Sequence, residues 1–291
     1  MIFTGQEAHL VGADWFESKG RSDIGQALRS APWAHTVGED QYGAFADLRV
    51  GEAKQCLRWI MPGEFMMGSP EDEKGRFLDE EQHPVTIAKG FWMADTPCTQ
   101  LLWSQVMGSN PSLFKNNPNN PVERVSWHDI QGFCARLGRF APGLDADLPT
   151  EEEWEYACRA GTAGPRYGEI DDIAWHAGNS GEQTTNNQTH PVGLLEPNPW
   201  GLYDMLGNVW EWAGIMKNWL SVRNRGGAWD SRPQHARSAR RVLMAGMDAK
   251  SFNLGFRFTI RTTGREHHGT IRLHRHRLNG LPEVLALKDR S

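Results

Sequence analysis

The sequence predicts an α+β fold: a few short helices packed on small sheets and joined by much irregular backbone. Three observations carry that prediction. Three apolar-periodic runs open on capping residues, the strand-like runs are short, and long stretches rich in Gly, Pro and Asn separate them. Thirteen Trp in so loop-rich a chain suggest large rings pinning loops onto a central sheet.

Taken in chain order, "QYGAFADLRV" (41–50) reads as a strand able to pair with "QCLRWIM" (55–61) in a hairpin. "EFMMGS" (64–69), "PVTIAKGFWMA" (84–94) and "NLGFRFTIR" (253–261) are the other strand candidates. "TQLLWSQVMG" takes Thr99 as N-cap, puts Trp103, Val106 and Met107 on one face and stops at Gly108. "SWHDIQGFCARLG" opens with a capping box of Ser126 and Asp129. It carries Ile130, Phe133, Cys134 and Leu137 at helical spacing and ends at Gly138. "TEEEWEYACRAG" repeats the device with Thr150 and Glu153, turns Trp154, Ala157 and Cys158 inward and terminates at Gly161. Its leading acids suit the helix dipole, so Glu151, Glu152 and Glu153 are read as structural.

Composition narrows the classes. Across 291 residues, 23% charged and 39% hydrophobic residues describe a soluble globular chain with ample core. A net charge of −5 gives no general reason to expect nucleic acid. No basic stretch leads into an apolar run at the N-terminus, and no segment approaches the roughly 18 apolar residues of a membrane span. No membrane association and a cytoplasmic location are therefore expected. Cys56, Cys98, Cys134 and Cys158 are scattered singly and read as core thiols.

The stretch "GLYDMLGNVWEW" (201–212) fits neither a clean helical nor a clean strand period. Gly207-Asn208 reads as a turn, because both residues tolerate positive φ. Asp204 and Glu211 flank it with backbone carbonyls between them, a donor set that suits Ca²⁺. A hairpin-like turn with two solvated acids accounts for the same residues.

Seven blocks then occur in a telling order: "PGEFMMGSPEDE", "FWMADTPCTQLLW", "NPVERVSWHDIQGFC", "LPTEEEWEYACRAGT", "GLYDMLGNVWEW", "RGGAWDSRPQHARSARR" and "NLGFRF". Together they resemble the formylglycine-generating enzyme (sulfatase-modifying factor) family from about Leu57 to Arg261. The resemblance implies a fold related to the C-type lectins. It divides the chain into an N-terminal extension (1–50) whose end forms the hairpin, a family domain (51–263) and a basic, His-rich tail (264–291). It also implies a structural Ca²⁺ held by Asp204 and Glu211 through their side chains and by Gly207 and Val209 through their carbonyls. A second family Ca²⁺ site, near Asn179 and Ser180, is matched poorly.

The family's copper chemistry is not implied. It needs a cysteine pair in the block that here reads "GGAWDSRPQHARSARR", where the matching positions are Ser231 and Ala236. Ala228 stands where a Ser ordinarily follows the two glycines, and no Cys follows Cys158. An iron-dependent branch of the family places histidines in an added N-terminal domain, whereas His9 and His35 stand alone here. With no catalytic residue assigned, the sequence favours a protein- or ligand-binding module on a lectin-like scaffold, with 228–252 as its face. Trp229, Arg232, His235, Arg240 and Met244 are the candidate ligand contacts, and Arg237 is expected to be a buried prop. A variable protein of a diversity-generating retroelement is one form of that reading. Asp230, Ser231, Arg232, His235, Arg240, Val242, Leu243 and Phe252 are single-codon outcomes of such mutagenesis. The alternative is an oxidase-like enzyme using non-haem iron or no cofactor in the same cleft. In the tail, "TIRLHRHRL" with His267, His268, His274 and His276 reads as a solvated extension.

Overall fold

The computed structural model describes residues 9–10, 13–29, 33–140, 143–181, 187–215, 222–244 and 246–261, so the 264–291 tail lies outside the described residues. Two antiparallel hairpins begin the domain. Gly43–Val50 pairs with Thr36–Asp40 on one side and with Ala53–Ile60 on the other, the second pairing being the hairpin expected from the sequence. Phe91–Ala94, Thr259–Ile260 and Ala146–Asp147 extend this into a seven-stranded sheet edged by His9–Leu10. A four-stranded sheet runs Arg241–Met244, Val222–Arg225, Trp210–Ile215, Leu254–Gly255. Gly63–Met67 and His83–Ile87 form a separate pair.

Phe91–Ala94 is buried at all four positions, which follows from a strand's period of two. Trp92 and Ala94 point into one core with Trp103, Phe133, Phe256 and Phe258. Phe91 and Met93 point into a second core with Trp154, Leu202, Met205 and Leu206. The first core is covered by Gln100–Met107 and Trp127–Leu137, where Trp103 stacks on Phe133 with centroids 5.3 Å apart. The second is covered by Glu151–Arg159.

Thr99 caps the first helix, and both capping boxes are formed, Ser126 with Asp129 and Thr150 with Glu153. Two expectations need correction. The 84–94 run is two strands in different sheets, broken at Gly90, where a Cβ would strike the Trp59 ring at 2.3 Å. The 253–261 run is likewise divided between two sheets, because Arg257 turns inward between its halves. Gly138 ends its helix as expected, in the right-handed conformation. Its φ is −59°, and its lack of a side chain admits the carbonyl of Leu144, 3.1 Å from where a Cβ would sit. Among the described residues, no helix is long and apolar enough to cross a membrane.

Candidate functional site

Two neighbouring features form the candidate site: the 204–211 turn and the 228–252 segment that lies against it. In the turn, Asp204, Gly207 and Asn208 all take positive φ, at 52°, 82° and 61°. Gly207 is required, since a Cβ there would lie 2.3 Å from the carbonyl oxygen of Trp175. Asn208 knits the loops together. Its backbone carbonyl accepts from Trp229 N at 2.9 Å, while its amide side chain bonds both backbone groups of His190.

The two acids differ in state. Glu211 is not a free ligand: Arg257 donates to it through Nε and Nη2 at 2.8 and 2.7 Å, and the Trp154 indole adds a third bond at 2.8 Å. A buried bidentate pair already neutralises its charge. Asp204 accepts from Gly193 N at 2.7 Å and more distantly from Asn208 Nδ2, both uncharged donors. Burial lifts its carboxyl to about 6, against the pull of Gly193 and Arg257. The carbonyls of Gly207 and Val209 accept none of the described loop hydrogen bonds. Glu211 thus does not offer the open carboxylate that the sequence suggests, and Asp204 is the acid of this turn whose described hydrogen-bond donors are uncharged. Among the described residues no group of three His, Cys, Asp or Glu side chains converges on one point. Asn179 and Ser180 are committed elsewhere, to His176 N and Ala174 O and to Trp229 O respectively.

The 228–252 segment is fastened from beneath. Ser231 closes a turn, its hydroxyl accepting from Ala228 N and its carbonyl from Ala177 N. Ala236 is fully buried, and Arg166 holds its carbonyl through Nε at 2.8 Å. Arg237 is the buried prop expected: it pairs with Glu73, with both oxygens of Glu80 at 2.8 Å, and with the carbonyl of Gly75. Arg225 and Arg241, directly opposed on adjacent strands, are both drawn to Glu155. That carboxylate also holds Arg159 and Gly68 N. Burial pushes the Glu155 carboxyl up, but Arg225 and Arg159 outweigh it and keep it below the ordinary range.

Above these props the segment divides. In its aromatic half, half-buried Trp229 sits between Phe114 and Phe252, at centroid distances of 5.5 and 5.9 Å, and its indole nitrogen has no hydrogen-bond partner. In its cationic half, Arg240 lies over the ring of Phe77 at 3.5 Å, and His235 meets the same ring edge-on at 6.0 Å. Arg232 is exposed, close enough to His235 to act on its charge. Thus Arg232, His235 and Arg240 come together, Trp229 belongs to the adjoining aromatic group, and the Met244 side chain lies outside the described residues.

Against known proteins, the model of the "Sulfatase-modifying factor enzyme 1-like domain" matches residues 50–262. The chain belongs to this family. It is 32% identical over 155 residues to the formylglycine-generating enzyme of Mus musculus, covering 49% of this chain and 38% of that protein. It is 32% identical over 195 residues to the mouse inactive C-alpha-formylglycine-generating enzyme 2, covering 61% and 59%. The chain thus spans less than two thirds of either relative. Treponema denticola variable protein 1 shares the fold, with a TM-score of 0.65 at 24% identity over 74% of this chain and 98% of that one. The domain is an α+β member of the formylglycine-generating-enzyme and C-type-lectin-like fold.

Sequence reasoning missed Glu155, Arg257 and Phe77. Glu155 follows three acids that the sequence explains by the helix dipole and a capping box, so its role shows only when the strands beyond it are placed. Phe77 carried a signal: in "EDEKGRFLDE" it and Leu78 are the apolar residues in an otherwise polar loop, and both are exposed.

Proposed function

We propose that this chain is a binding member of the sulfatase-modifying factor family, taking a protein or small-molecule ligand on the 228–252 face without copper chemistry. The observation that carries the reading is what stands at 231 and 236: a hydroxyl spent on closing a turn and a buried methyl group. Cu(I) chemistry needs thiolates. The four thiols present lie elsewhere, and burial pushes each of them up, Cys158 to about 12. A relative described as inactive, at 32% identity, is in keeping with a family domain that does not generate formylglycine.

What supports binding is the contrast between rigid support and exposed display. Arg237 and Ala236 lock the backbone, while Asp230, Arg232, Leu243 and Phe252 stay exposed. Function carried on loops that a rigid scaffold positions is a common arrangement. The finer reading, a segment diversified by a retroelement, is supported by the exposure of those four and weakened by the burial of Ser231. A reverse transcriptase gene beside a near-repeat of the 228–252 coding segment would decide it. We also propose a structural Ca²⁺ on Asp204 with the carbonyls of Gly207 and Val209.

The test has two arms. Incubation with a sulfatase-type cysteine peptide, Cu(I) and O₂ should leave the peptide mass unchanged, and stoichiometric iron or copper in purified protein would instead favour an oxidase. Glycan and peptide arrays probed with wild type and with Trp229→Ala should show signals that the variant loses; identical patterns for both proteins would overturn the binding face.

A further inference from the structure

Most buried arginines in this protein have a carboxylate: Arg58 has Asp40, Arg225 and Arg241 have Glu155, Arg237 has Glu73 and Glu80, and Arg257 has Glu211. Half-buried Arg240 and exposed Arg232 have no such partner among the described residues, and half-buried Arg166 gives its hydrogens to the carbonyls of Ala236 and Pro233. The described hydrogen bond of the Arg240 guanidinium goes to a neutral group, from Nη1 to the carbonyl of Arg241 at 3.0 Å, and its Nε is without a partner. It is held in place by its stack on Phe77. Burial brings Arg240 below the ordinary arginine value, and the nearby carboxylates of Glu80 and Asp79 do not offset this. Those acids are already engaged, Glu80 with Arg237 and Asp79 with Arg223.

His235 reports the same imbalance from the other edge of the ring. Burial, then Arg240, Arg232 and Arg237 in turn, hold its imidazole below the ordinary histidine range. Three guanidiniums act on one histidine, and of these only Arg237 is paired with carboxylates, Glu73 and Glu80. In a chain of net charge −5, this local excess of positive charge has no internal partner among the described residues.

We propose that Arg240 and His235, which meet the exposed ring of Phe77, and Arg232 near His235 form a receptor for an oxyanion carried by the ligand of the 228–252 face. The proposal rests on the binding reading above and names the chemistry of what is bound: a carboxylate, phosphate or sulfate group, presented beside an aromatic or other flat apolar surface. A guanidinium braced flat on a ring offers its N–H edge as a planar fork, a geometry that suits two oxygens of such a group. Phe77, which is 38% exposed, extends the platform beyond the charges.

The experiment follows the His235 ring nitrogens by NMR while pH is titrated in sulfate and in chloride at matched ionic strength. Sulfate should raise the His235 pKa beyond the rise in chloride, because a seated anion offsets the guanidiniums. Phenyl phosphate and benzoate should act at lower concentration than sulfate, and their order separates phosphate from carboxylate recognition. Arg240→Gln should raise the half-saturating sulfate concentration by about tenfold, the loss of one charge-assisted contact. Arg232→Gln, at an exposed position where folding is not at stake, should weaken it in the same direction. An equal response to chloride and sulfate, or an undiminished sulfate response in both variants, would overturn the receptor. The arrays with Trp229→Ala report on the binding face separately, so an anion-insensitive His235 beside a Trp229-dependent array signal removes this inference alone.

Discussion

The arginines of the 225–241 stretch fall into two groups that share a segment and little else. Arg225, Arg237 and Arg241 reach inward to Glu155, Glu73 and Glu80, while exposed Arg232 and half-buried Arg240 have no carboxylate partner among the described residues. The first group shows what it takes to bury a guanidinium. Each inward guanidinium meets a carboxylate, Glu155 being shared by Arg159, Arg225 and Arg241, and some of the remaining hydrogens go to carbonyls, as Arg237 gives one to Gly75. The second group shows that the same residue type, a few positions away, can be left free to act on something outside. Composition alone does not separate them; the partners do.

The strongest way to break the comparison is to remove the shared carboxylate. Glu155→Gln leaves Arg159 and Arg225 buried beside a neutral amide, and a loss of about 3–5 kcal/mol of stability is expected in chemical denaturation. A loss below 1 kcal/mol would show that the network does not depend on that charge. Next comes the Asp204 turn, whose acid lacks a charged partner of its own. Removing Ca²⁺ from a hundredfold excess over Kd should cost about 2.7 kcal/mol. Identical melting curves with EDTA and with added Ca²⁺ would sink that site.

A smaller effect concerns half-buried Asp95, whose carboxyl burial lifts from 3.8 to about 6. Because the folded state holds this proton more tightly than the unfolded chain, stability should fall as pH rises from about 4 to about 6, by about 2 kcal/mol. Asp95→Asn, which keeps an acceptor for Gln55 Nε2, should flatten that slope; an unchanged slope would rule out Asp95 as its source. Smallest of all is Arg232→Gln, expected to move the unfolding free energy by less than about 0.5 kcal/mol. A loss comparable to that of Glu155→Gln would erase the distinction between the two groups.

The three helices and their caps were legible because capping chemistry is local: Thr99, Ser126 with Asp129, and Thr150 with Glu153 lie within one turn of the bonds they make. Arg237 was legible through its block, and its acid partners were expected without being named. The pairing of Glu211 with Arg257 was not legible, because the two lie 46 residues apart in sequence. The same holds for Phe77, whose partners Arg240 and His235 come from the far end of the domain. Local pattern reveals caps and periodic faces; it does not reveal which distant cation will meet an acid.

The short run from Leu254 to Ile260 has a consequence for synthesis. Its first strand completes the four-stranded sheet, its second joins Phe91–Ala94 to Ala146–Asp147, and Arg257 between them reaches Glu211. A nascent chain still short of residue 260 therefore has a helix-covered half-sheet with an open edge and a buried acid without its counter-ion. Chains truncated before this strap should therefore be protease-sensitive where chains that include it resist. Its quality control is in effect concentrated in seven residues, so a fault there is felt by both sheets at once.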